Sequence, residues 1–261
     1  MGRRGVHQVR CVAGRVPVPV FAAIMTSMEQ GQSIDGADER RAFADALAAA
    51  CSAIGLSPTQ RQRELMLAHF ERVVEANRHF NLTRITSPAD AAVKHYADSL
   101  TLLAAPWIEA GQSLKVIDVG TGAGFPAVPL AIMCPQWRIL AIDGTGKKAR
   151  FVAETAEQMG LTNLEALHSR AADLSCEGGR LYDLILVRAV GRIAGVLRDV
   201  RHLGGPGSRI VFYKTNKIEA AEMKDGTREA KRLKLSPGEP FDVELASPDG
   251  PLRRRLIRFE C

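Results

Sequence analysis

Apolar residues recur at helical spacing in the first third of the chain. Over residues 38–54 they fall at Phe43, Leu47, Ala50 and Ile54, the one-sided stripe of an amphipathic helix, and Gly55 supplies its stop. Ser57 is placed to cap a second helix with Pro58 at its first position; Leu65, Leu67, Phe70, Val73 and Val74 give that helix a buried side. A third helix is expected over residues 89–104, with Asp90 in its first turn. After Gly111 the period changes. Short apolar runs at 114–119, 137–143, 164–168, 182–187 and 209–213 alternate with helical stretches, which predicts a parallel sheet with crossover helices. Residues 240–245 and 254–259 then flank the turn Ser247-Pro248-Asp249-Gly250 and read as a hairpin. The pattern divides the chain into an extension without fixed structure (1–36), a helical module (37–112) and an α/β domain (113–261).

Composition adds little to this picture. The chain has 261 residues, 46% hydrophobic and 25% charged, which is ordinary for a globular protein in solution. No run of apolar residues is long enough to span a bilayer. Five scattered cysteines (Cys11, Cys51, Cys134, Cys176, Cys261) form no CxxC or Cys/His cluster, so free thiols, a reducing compartment and no metal site are expected. The net charge of +6 is mostly a property of the start of the chain. Residues 1–28 hold Arg3, Arg4, Arg10 and Arg15 and no acid, so the remainder carries only +2, weak support for a nucleic-acid partner. That stretch fits a loose extension, or a start at Met25 or Met28, better than an Arg-rich targeting peptide, because Pro17 and Pro19 interrupt it.

The chemistry concentrates in Val116-Ile117-Asp118-Val119-Gly120-Thr121-Gly122-Ala123-Gly124. Glycines clear space for a ligand and permit backbone angles closed to other residues. A helix beginning near Pro126 would present free N–H groups to an anionic ligand group. The next strand ends at Asp143, 23 residues after Gly120, where a carboxylate can accept hydrogen bonds from ribose hydroxyls. The GxGxG spacing, with Asp118 two residues ahead, favours S-adenosylmethionine (SAM) over a dinucleotide. So does a parallel sheet that finishes in an antiparallel hairpin.

Further motifs sharpen the reading. In order they are Asn81-Leu82-Thr83; His95 with Asp98-Ser99-Leu100; residues 118–126 with Pro129-Leu130-Ala131-Ile132; Asp143 with Gly146-Lys147-Lys148 and Arg150-Phe151; Ser169-Arg170-Ala171; and Arg188-Ala189. The series resembles the RsmG (GidB) family over about residues 70–214. Ala127 stands where that family usually has glycine, and Ala172 where glutamate is common. The resemblance implies a class I SAM-dependent methyltransferase fold, Rossmann-like, with a mostly parallel seven-stranded sheet ending in an antiparallel hairpin. It implies methylation of guanine N7 in the decoding region of bacterial 16S ribosomal RNA on the small subunit, by a cytoplasmic monomer. It places cofactor contacts at Gly120, Phe125, Ala171, Ala172 and Arg188, with Asp143 on the ribose; Asp118, Thr121, Gly122 and Gly124 complete the turn. Arg188 is the candidate catalytic contact, reaching SAM or the guanine and its flanking phosphate. Lys147, Lys148, Arg192 and Lys214 are candidates for RNA phosphates. His95 and Asp98 are expected to pair on a helix surface, or His95 to pack against the cofactor site. Arg253–Arg255 are expected at a sheet edge, as a solubility device. Guanine N7 carries a lone pair and no proton, so in-line attack needs no general base. Two alternatives remain open on sequence: a SAM-dependent methyltransferase of protein or small molecules on the same fold, and a module that binds SAM or RNA without catalysis.

Overall fold

In a computed structural model, residues 36–175 and 182–261 are described; the expectations for residues 1–35 and for Cys176 lie outside them. Helix α1 (Ala37–Ala53) buries Phe43, Leu47 and Ala50, as its stripe requires. Helix α2 (Gln60–Asn77) starts later than expected. Thr59, not Ser57, is its cap: the Thr59 hydroxyl accepts from the Gln62 N–H and the Gln62 side chain accepts from the Thr59 N–H. This reciprocal box satisfies two donors at once. The expected third helix is not uniform. It runs as α3 (Pro88–Ala91), a π turn (Ala92–Ala97), α4 (Asp98–Leu100) and a 3-10 turn (Thr101–Ala104). Wider turns of this kind are frequent at functional sites, and the 3.6-residue period of the sequence gives no sign of one.

The sheet contains β1 (Lys115–Val119), β2 (Arg138–Asp143), β3 (Leu164–His168), β4 (Leu184–Arg188), β5 (Arg209–Thr215), β6 (Ser236–Pro237), β7 (Phe241–Leu245) and β8 (Leu252–Glu260). Strands run in the order β3-β2-β1-β4-β5-β8-β6, with β7 also pairing β8. The first five are parallel and β8 is antiparallel to β5. The expected topology is present, with eight strands among the described residues rather than seven, because Ser236–Pro237 adds a two-residue pairing to β8. Between the strands lie α5 (Ala127–Met133), α6 (Gly146–Gln158), α7 (Ile193–Val200) and α8 (Ala220–Arg232).

Alternate strand residues feed two cores. Val116, Leu184 and Leu186 join the side covered by α1, α2, α5 and α6. Ile117, Val119, Ile185 and Val187 join the side covered by α7 and α8, as period-2 alternation demands of a sheet covered on both faces. Strand order reverses between β1 and β4, so their carboxyl ends open a crevice where such sheets bind ligands.

One expectation fails here. Arg253–Arg255 do not lie on an edge, because β8 is paired on both sides: Arg254 stands opposite Thr215 of β5 and Val243 of β7. Arg253 and Arg255 do make exposed cross-strand pairs with Glu244 and Asp242, which stabilise little individually. Arg254 points the other way, into the crevice.

Candidate active site

The glycine turn leaves β1 at the switch point. Gly120 and Thr121 both donate to the Ile142 carbonyl at the end of β2, at 2.8 and 3.0 Å. Gly120 has φ of +77°, and a Cβ there would come within 2.3 Å of Val190 Cγ2. The turn is thus packed against the segment that follows β4. Gly122 has φ of +59° and open space where a Cβ would point. Its N–H donates at 3.0 Å to Asp143 Oδ2, while Thr145 N–H donates at 2.8 Å to Oδ1. Asp143, only 8% exposed, therefore ties the two loops together and retains lone pairs for further donors. Pairing of Asp143 with His168 in β3 brings the 3-10 turn Ala171–Asp173 beside it; Ala171 is buried and Ala172 exposed.

The start of α5 differs from expectation. Ala127 N–H donates to Asp118 Oδ2 at 3.3 Å and Val128 N–H to the Gly124 carbonyl at 2.8 Å. Pro126 and Pro129 have no N–H to offer. The helix is only seven residues long, and its first donors are used internally rather than left for an anion. Ala127 is fully buried, so its methyl group fills protein volume. Asp118 lies beneath the turn. Burial pushes its carboxyl up to about 7, against the opposing pull of the Thr121 hydroxyl, the Ala127 N–H and Arg188. Asp118 Oδ1 and Thr121 Oγ1 are buried without a well-formed hydrogen bond. Open space above Gly122 and an anchored Asp143 carboxylate fit a ligand with a ribose, as SAM has.

The helical segments reach the same turn. His69, wholly buried, contacts the Ala123 carbonyl through Nε2 at 3.0 Å and the Tyr96 hydroxyl through Nδ1 at 2.9 Å. A carbonyl only accepts, so Nε2 carries the proton and Nδ1 accepts from Tyr96. Burial lowers the His69 pKa to about 3. His95 stacks on Phe125, with ring centroids 4.6 Å apart. Its Nε2 lies 2.8 Å from Thr83 Oγ1, and burial, then Arg188, lower its pKa to about 4. It therefore does not pair with Asp98. It packs against the turn, the other role foreseen for it. Asn81 is exposed; the Asn77 side chain accepts from the Leu82 and Thr83 N–H groups, at 2.7 and 2.9 Å.

His69 was not identified from sequence, because a histidine between Met66 and Phe70 on a buried helical face reads as core. Two results are expected from its environment. Folded His69 stays neutral down to about pH 3 while the unfolded chain protonates near 6.5, so its contribution is complete above pH 6.5 and declines as pH falls toward 3. His69→Ala should cost about 2 kcal/mol, since the Ala123 carbonyl and the Tyr96 hydroxyl lose their partner in a dry site. His69→Gln should flatten the acid arm of a stability–pH curve measured by denaturant melts. An acid arm identical to the parent's would show that His69 does not carry it.

Asp98 holds two arginines. Its Oδ2 accepts from Arg188 Nη2 at 2.8 Å and Nε at 3.2 Å, and its Oδ1 from Arg254 Nε at 2.9 Å. Arg188 Nη2 also donates to the Lys94 carbonyl in the π turn, at 2.6 Å, and the guanidinium lies 5.8 Å from the Phe125 ring centroid. After Arg188 the chain turns sharply, with Ala189 at φ +57°, an uncommon backbone angle for a residue with a side chain. A cleft of about 490 Å³ opens here, lined by Asp98, Arg188, Arg192, Tyr213, Lys214 and Arg254 among others. Of the four RNA candidates, Arg192 and Lys214 line this cleft, whereas Lys147 and Lys148 sit at the start of α6, beyond Asp143. Lys214 is engaged by Glu222 at 2.8 Å and Arg192 lies 3.8 Å from Glu219. Cys51 and Cys134 are buried free thiols, pushed up to about 12 by burial, and take no part in the site. Among the described residues no helix is long and apolar enough to cross a membrane, and no acidic, Cys or His cluster could hold a metal ion.

Residues 62–237 match the family model described as rRNA small subunit methyltransferase G. A ribosomal RNA small subunit methyltransferase G of Solibacter usitatus is 37% identical over 182 residues, covering 68% of this chain and 83% of that protein. Its counterpart in Pseudomonas aeruginosa (strain UCBPP-PA14) is 33% identical over 222 residues, covering 84% of this chain and 95% of that protein. Among solved structures, a SAM-dependent methyltransferase from Aquifex aeolicus superposes with a TM-score of 0.44 at 18% identity, over 57% of this chain and 82% of that one.

Proposed function

The chain belongs to the rRNA small subunit methyltransferase G family, and from that premise we propose that it transfers the methyl group of SAM to N7 of a guanine in the decoding region of 16S ribosomal RNA. The observation that carries the reading is the packing of Val190 against Gly120. It joins the glycine turn, with its open space and its Asp143 carboxylate, to a basic cleft at the end of β4. A cofactor on the turn and a base in the cleft would meet at that seam.

When bound, SAM supplies a methyl group on a positively charged sulfur, reactive enough for direct attack. The chain's residues then have to place the nucleophile. Guanine N7 has an in-plane lone pair and no proton, so holding it in line is the main requirement. Arg188 suits that task. Two bonds to Asp98 and one to the Lys94 carbonyl fix its guanidinium, so a group that meets its remaining edge meets a preset position. Asp143 holds the ribose, and Phe125, wedged against His95, shapes the wall. The protein acts in the cytoplasm, as a monomer, on the small subunit.

The test is to incubate the protein with labelled SAM and unmodified small subunits, digest the RNA and identify the labelled nucleoside by mass spectrometry. Label in N7-methylguanosine is the expected result. Label in any other nucleoside, or in protein alone, overturns the reading. Arg188→Ala should reduce turnover at least tenfold, about 1.4 kcal/mol of transition-state stabilisation; unchanged turnover would remove Arg188 from the site.

A further inference from the structure

The floor of the cleft carries more positive charge than its own acids balance. Arg188 and Arg254, 14% and 18% exposed at their side chains, share the single carboxylate of Asp98, which is 4% exposed. Higher in the cleft the charges cancel: Lys214 faces Glu222 and Arg192 faces Glu219. Lys217, on the cleft lining, has no ion pair among the described residues. The other buried carboxyl that acts on Arg188 is Asp118, which is turned toward the glycine loop through Ala127 and is pushed up to about 7. It offsets at most part of the surplus. A charge withheld from water is costly unless a counter-charge meets it, so the cluster is built for an incoming anion.

SAM is not a net anion. Its sulfonium and ammonium outweigh its carboxylate, so it brings one further positive charge to the seam. RNA backbone phosphates carry one negative charge each and present two oxygens, the shape that guanidinium groups bind best. Arg254 is delivered from β8, on the far side of Asp98 from the glycine turn. It is therefore placed for the backbone of the substrate rather than for the cofactor.

We infer that Arg254, with Arg188 across their shared Asp98 and Lys217 at the rim, forms a subsite for one phosphodiester of the RNA strand beside the target guanine. This rests on the RNA-methyltransferase reading above. Arg254 is then a substrate-binding residue, and Asp98 a positioning residue that sets the spacing of the two guanidinium groups.

The experiment compares the full chain with Arg254→Gln and Arg254→Lys. Binding of a labelled guanine-containing fragment of small-subunit RNA is measured across a salt series, SAM affinity by calorimetry, and methyl transfer to unmodified small subunits by steady-state kinetics. Arg254→Gln should weaken RNA binding about tenfold and reduce the slope of log affinity against log salt by about one. KM for subunits should rise while SAM affinity is unchanged. Arg254→Lys should restore the slope, because it restores the charge. Weakened SAM affinity with unaltered RNA binding overturns the inference and makes the cofactor carboxylate the anion. Unaltered affinity for both in a folded Arg254→Gln protein makes the cluster a structural ion pair, and a parent protein that does not bind RNA overturns the inference as well. RNA binding with the expected salt slope but no N7-methylguanosine leaves the subsite standing and removes the methylation reading.

Discussion

Asp98→Ala is expected to destabilise the fold by about 3–5 kcal/mol, the usual result of removing one partner from a buried, hydrogen-bonded charge cluster. Three hydrogen bonds to arginine end on this carboxylate. Without it, two mostly buried guanidinium groups face each other on the floor of the cleft, and their remaining protein acceptors are the carbonyls of Lys94 and Arg253. At this chain length the loss should appear as a fall in Tm of about 10 °C. The site would fail with the fold, since Arg188 is held by the same carboxylate. The double variant Asp98→Ala/Arg254→Met separates the causes. It removes one of the two stranded charges, so it should recover part of the lost stability, and the coupling from a double-mutant cycle should be at least about 1 kcal/mol. A Tm for Asp98→Ala within one degree of the parent would show that the cluster is solvated and contributes nothing.

Much of this architecture was legible because local rules agreed. Strand and helix periods, the glycine turn and the acid at Asp143 each predicted the same layered sheet, and the strand ends fall within a few residues of expectation. What escaped was set by tertiary contact. The pattern of alternating arginines at 253–255 is the same on an edge strand as on an inner one, and only the pairing of β8 on both sides sends Arg254 to Asp98. His95 and Asp98 are spaced to touch on a regular helix. The π turn at Ala92–Ala97 lies between α3 and α4, and the stronger partners, Thr83 for one and two arginines for the other, decide the outcome. The expected anion site at the start of α5 failed for a related reason: Asp118, singled out as a cofactor residue, takes the Ala127 N–H itself. Legible residue types thus became a site through contacts separated by up to 156 positions in the chain.

Gly120→Ala should abolish useful cofactor binding, with SAM affinity falling at least a hundredfold, equivalent to about 2.7 kcal/mol. Two penalties combine. The residue sits at φ +77°, where a Cβ costs about 1–2 kcal/mol, and that Cβ would approach Val190 Cγ2 to 2.3 Å. Val190 cannot yield cheaply. It is β-branched and stiff, and it lies between Ala189 and Gly191, both already at positive φ. Relief must come from displacing the seam between the turn and the cleft, where cofactor and base would meet. Gly122→Ala provides the contrast. Its Cβ meets nothing within 4 Å, so the protein should lose only the backbone strain, about 1–2 kcal/mol, while the methyl group intrudes on the space assigned to the ligand. Thermal melts and SAM titrations on the two variants distinguish these effects. Gly120→Ala should lower both Tm and affinity, and Gly122→Ala should lower affinity by more than its stability loss would predict. If Gly122→Ala binds SAM as the parent does, the open space above the turn is not where the cofactor lies.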